Sequence, residues 1–166
     1  SKFQVATAIA VLFHSIGIAG LLYFDKTFFL QSTPVNLLLM FVLLLWTQRE
    51  KNTYFFLFLV TCFSVGIAVE MVGIHTGILF GNYSYGNVLG YKIQGVPLLI
   101  GANWFIIIYC SGISIHTILM KAINRISADT GKRPMALKAL SVIIDGATLA
   151  VFFDWLMEPV AVKLGY

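Results

Sequence analysis

Five long apolar runs dominate the sequence: Val5 to Phe24, Pro34 to Thr47, Tyr54 to Val72, Pro97 to Met120 and Met135 to Met157. Lipid offers no partner to a bare N–H or C=O, so such runs cross a bilayer only as internally bonded helices, about 20 residues per crossing. Charged residues make up 11% of the chain, against about 25% in an average soluble domain. The expectation is an all-α, polytopic transmembrane helix bundle of about five spans, with residues 1–166 forming a single integral membrane domain. The second run is short for a crossing unless it borrows Phe28 to Ser32 across Pro34. The chain opens at Ser1 without a Met, so a preceding stretch is expected.

The net charge of +4 does not point to nucleic acid, because the basic residues gather between helices rather than on an amphipathic face. If the N-terminus lies on one side, Lys2, Arg49, Lys51, Lys121, Arg125, Lys132, Arg133 and Lys138 fall on that side, against Lys26, Lys92 and Lys163 on the other. The positive-inside rule makes the first side cytoplasmic and predicts a multi-pass protein of the cell membrane. Cys62 and Cys110 sit inside apolar runs and read as small core residues. The segment from His75 to Val96, rich in glycine yet still apolar, is predicted to be a re-entrant or interfacial loop packed on the bundle.

Glu70, His75, Asp145, Asp154 and Glu158 lie in or at the mouths of these spans. Charge in hydrocarbon is costly and usually functional. Counting along the helices puts Glu70, Asn103, Trp104, Asp154 and Glu158 at one level. Asp154 and Glu158, four apart, share a helix face, whereas Asp145, nine before Asp154, falls on the opposite one. Carboxyls gathered in a low-dielectric site cannot all ionise, and a neutral acid beside a carboxylate or histidine makes an acid/base pair. The same residues also fit plain helix ends bonded to loop amides at the lipid boundary, and Tyr83, Tyr85 and Trp104 fit either an interfacial belt or a pocket wall. His14, His75 and His116 share no level, which argues against a metal or haem site.

The run Glu70-x-x-Gly73-x-x-Thr76-Gly77-x-x-Phe80-Gly81-x-Tyr83-x-Tyr85, then Gly95-Val96-Pro97 and Asn103-Trp104, resembles the membrane-bound carotenoid biosynthesis family. That family contains carotenoid 1,2-hydratases and bisanhydrobacterioruberin hydratase. The ending Asp154-x-x-x-Glu158-Pro159-Val160-Ala161 is similar to its second signature, with Glu158 where aspartate is common. The likeness runs from about Glu70 onward, the first two spans matching in hydropathy alone, and family members usually continue beyond this length.

The resemblance implies cofactor-independent addition of water to the terminal C=C of an acyclic, lycopene-like or monocyclic carotenoid end group, giving a tertiary alcohol. Its expected substrate is a lipophilic carotenoid entering from the bilayer, with other carotenoid biosynthesis enzymes as partners. In that reading Glu70, Asp154, Glu158 and His75 carry acid/base work. Phe80, Tyr83, Tyr85, Asn103, Trp104 and Asp145 line the substrate site. Glu70 or Asp154 supplies the proton, aromatic faces stabilise the cation, and a second carboxylate or His75 deprotonates the water. An end-group cyclase, a non-catalytic carotenoid-binding subunit and a proton-coupled carrier remain alternatives.

Overall fold

The computed structural model of the chain describes residues 1–78, 83–126 and 135–164. Its elements are α1 (Lys2–Tyr23), α2 (Lys26–Gln31), α3 (Thr33–Thr47), α4 (Thr53–Thr76), β1 (Lys92–Ile93), β2 (Val96–Pro97), α5 (Leu98–Ile126) and α6 (Met135–Leu164). Among the described residues, four segments are long and apolar enough to cross a membrane: Lys2–Tyr23, Thr53–Thr76, Leu98–Lys121 and Lys138–Leu164. The second expected span is α3, a shorter apolar helix of 15 residues, which the chain enters through α2. Pro34 lacks the N–H that would bond the Leu30 carbonyl, which breaks the helix there. Bonds from Ser32 N to the Phe28 carbonyl and from Asn36 N to the Ser32 carbonyl carry the chain across the break.

The chain forms two compact units, Ser1–Ile106 with Ala161–Tyr166, and Ile107–Val160. In the first, α1 returns against α2 and α3; the Phe29 ring lies so close to Gly20 that a Cβ there would meet it at 2.3 Å. At the other end of this pair, Lys2 Nζ donates to the Trp46 carbonyl at 3.3 Å. The Asn52 side chain caps α4 by accepting from Phe55 N at 3.0 Å, and Gly77, at φ 66, ends it. Phe105 is wholly buried and takes the edges or faces of Phe41, Phe55 and Phe58 at centroid distances of 6.0, 5.9 and 6.1 Å. These contacts fix α3, α4 and the start of α5 around one aromatic centre.

The described part of the glycine-rich segment packs as expected on the helices. Leu89 and Val96 join Ile67 of α4 and Ile100 of α5 in one buried cluster, against which Leu37, Phe63, Met71, Ile74, Tyr85 and Trp104 pack. The β1–β2 hairpin pairs Lys92 with Pro97 and Ile93 with Val96. Its two turn residues, Gln94 and Gly95, have φ of 47 and 88, the positive values a type I′ turn demands. Pro97, read in the sequence as the first helical residue, instead ends β2, and α5 begins at Leu98. The reason is that Pro97 is tied to Lys92 in the hairpin.

In the second unit the backbones of α5 and α6 approach closely, a Cβ on Gly146 meeting the Gly112 Cα at 3.4 Å. On α6, Gly146 and Ala150 are buried and Asp154 and Glu158 half-buried, one seam at four-residue spacing, while Asp145 is exposed.

Candidate functional site

Phe63, Gly66, Ile67, Glu70 and Ile74 recur at helical three- and four-residue spacing, which puts Glu70 on the packed face of α4. The residue is only 6% exposed. Burying an unpaired carboxylate costs several kcal/mol, and three donors meet this one. Trp104 Nε1 donates to Oε1 at 2.9 Å. The Tyr85 hydroxyl donates to Oε2 at 2.8 Å, and the Tyr83 hydroxyl donates to the same oxygen. Bonds to a charged group contribute about 1.5–3 kcal/mol each, so the three together offset the burial.

Each donor arrives by a different local rule. Trp104, on the second turn of α5, closes over Gly66, where no other residue leaves room. Tyr83 and Tyr85 are two apart in a stretch without helix, so their side chains leave the same side of the chain. Their rings stand edge to face, 5.5 Å between centroids at 77°. Burial first, then the charge of Glu70, pushes the Tyr85 phenol above the ordinary tyrosine range. It therefore stays a donor at neutral pH.

A carboxylate has about four lone-pair positions and only accepts. Among the described residues three are filled, leaving one on Oε1 beside the indole. That position suits the O–H of a water or alcohol.

Of the residues singled out in the sequence, the fold brings Glu70, Tyr83, Tyr85 and Trp104 together. Asn103 is half-buried next to Trp104. His75 is exposed, its Nδ1 donating to the Met71 carbonyl at 2.7 Å, and its place five residues after Glu70 turns it about 140° away around α4. Asp145, Asp154 and Glu158 belong to α6, in the second unit. Phe80 lies outside the described residues. The sequence reading of the site leaves out Gly66, legible as a small residue one turn before an intramembrane carboxyl.

A family model described as "Carotenoid biosynthesis protein" matches residues 32–166. The chain belongs to that family. The carotenoid biosynthesis match begins at Ser32, so it takes in α3 as well, farther than the motifs from Glu70 onward reach. Neither a curated protein nor a solved structure matches the chain. In this carotenoid biosynthesis protein the Glu70 cage lies wholly inside the matched span.

Proposed function

We propose that the chain hydrates the terminal C=C of an acyclic carotenoid end group, giving a tertiary alcohol. The observation that carries this reading is the Glu70 carboxylate, held by Trp104, Tyr83 and Tyr85 with one acceptor position left over among the described residues. Support for the substrate class comes from the family and from four helices apolar enough to lie in lipid, where a carotenoid dissolves.

An isolated alkene has no polar handle, so the hard step is its protonation. An acid gives its proton to the CH carbon of the double bond, and the π pair forms the new C–H bond. The neighbouring carbon becomes a tertiary cation, stabilised by the Trp104 and tyrosine faces and by the negative charge of Glu70. A water held on the open position of Oε1 bonds to that carbon through oxygen and passes a proton to Glu70. One water is consumed, and Glu70 returns its proton through solvent to the acid. The three donors around Glu70 favour the base role for it, of the two roles the sequence left open. The acid we assign to Asp154, from its place in the C-terminal signature.

Expression in a lycopene-producing bacterium tests the reading by product mass. Hydration adds the mass of one water. Heavy-oxygen water should label the hydroxyl, and deuterated water should place one deuterium on the adjacent carbon. An unchanged mass with a new absorption maximum would mean cyclisation, and label from oxygen gas would mean oxidation; either result discards the mechanism.

A further inference from the structure

Lys92 opens β1, and its side chain turns back into the preceding loop. Nζ donates to the Tyr85 carbonyl at 2.7 Å and to Asn87 Oδ1 at 3.2 Å. Lysine stems are flexible and lose entropy when held, and an ammonium is better hydrated in water than against neutral oxygens. A half-buried lysine spent on two neutral acceptors therefore has a task other than charge pairing.

Its anchorage is firm. Lys92 pairs with Pro97 in the hairpin, and Val96 and Pro97 are wholly buried. By contrast, residues 83–91 have no helix or strand, and among the described residues it is the Lys92 ammonium that holds Tyr85 by its backbone. The same Tyr85 presents its phenol to Glu70 Oε2. A continuous line of fixed points thus runs from the buried hairpin through Lys92 and Tyr85 to the carboxylate.

We propose that Lys92 is a positioning residue: its ammonium pins the Tyr85 backbone and so keeps the phenol on Glu70. The proposal rests on the reading of Glu70 as the base of the site. If the phenol swings off Oε2, a second acceptor position opens on the carboxylate, and the attacking water is no longer held at one place. Lys92 touches no reacting atom; its effect passes through Tyr85.

The test uses the whole chain with Cys110, the exposed cysteine, replaced by serine, and compares Lys92→Met and Lys92→Cys with that background. The Tyr85 phenol is read by ultraviolet resonance Raman after subtraction of a Tyr85→Phe spectrum. Both variants should lose the signature of a phenol donating to a carboxylate, and kcat should fall by roughly tenfold to a hundredfold with KM little changed. Aminoethylation of the new cysteine rebuilds an ammonium at lysine's length and should restore signature and kcat together. A lysine serving general stability would shift melting without that paired recovery. Should Lys92→Met not fold, Lys92→Gln is read in the same way. An unchanged Tyr85 signature in any folded neutral variant, or aminoethylation that restores nothing, overturns the proposal. A signature that follows the ammonium in a chain that hydrates no carotenoid would instead overturn the reading of the function and leave the positioning role standing.

Discussion

Trp104 rests directly on Gly66: a Cβ at position 66 would lie 2.7 Å from the Trp104 Cβ, a contact no flexible side-chain end can relieve. The absent side chain is what lets α4 and α5 approach closely enough for the indole to reach Glu70. Gly66→Ala should push the two helices apart and cost about 1–3 kcal/mol, the usual range for overpacking. Gly17→Ala is the control, because a Cβ there meets nothing within 4 Å. Thermal melts in detergent should show a lowered Tm for the first and none for the second.

Replacing Glu70 by glutamine keeps the shape but removes the charge and the proton acceptor. Turnover should fall by roughly 10² or more, as for a lost general base. Trp104→Phe removes one donor of three and should cost less, about tenfold. Carotenoid hydration assays on folded, membrane-inserted variants decide this; near-normal turnover in Glu70→Gln removes the base role.

Stability should decline at high pH through Tyr85. Its folded value is raised above the ordinary 10.0, so the folded chain holds that proton longer than the unfolded chain does. The sign is then fixed: the contribution is complete below about pH 10 and is lost as pH rises from there toward the folded value. Melting temperatures across pH 9 to 11.5 should fall more steeply for the native chain than for Tyr85→Phe. Parallel curves would show that Tyr85 is not the linked group.

The two aspartates of α6 should separate in their effects. Asp154 is half-buried and Asp145 exposed, half a turn apart around the helix axis. Asp154→Asn is expected to lower kcat by roughly 10² or more, as befits the proposed proton donor. Asp145→Asn should leave kcat in place and move KM at most. Steady-state kinetics on both variants checks the assignment, and a normal kcat in Asp154→Asn removes the acid from that residue.

The charge asymmetry predicts an orientation. With Cys110 replaced by serine, an impermeant thiol reagent added outside the cell should label Tyr91→Cys and spare Lys51→Cys. The reverse pattern would invert the bundle.

Much of the architecture was legible in the chain, because a membrane span is a local property. Twenty apolar residues in a row must bond internally wherever they sit, so the helices, their approximate ends and the glycine-rich loop could all be read off. The break before α3 was half legible, since Pro34 marks it but does not say how the chain crosses. Depth counting also put Glu70 and Trp104 at one level. What the count could not supply was rotation and distance. Tyr83, Tyr85 and Trp104 lie 13, 15 and 34 positions from Glu70, and their convergence depends on a glycine under an indole and on a hairpin that returns the chain. His75 illustrates the limit from the other side: five residues from Glu70 in sequence, it faces away and bonds its own helix. Composition and periodicity determine where a helix lies in a membrane; which side chains meet is decided by packing, and packing joins residues that no local pattern links.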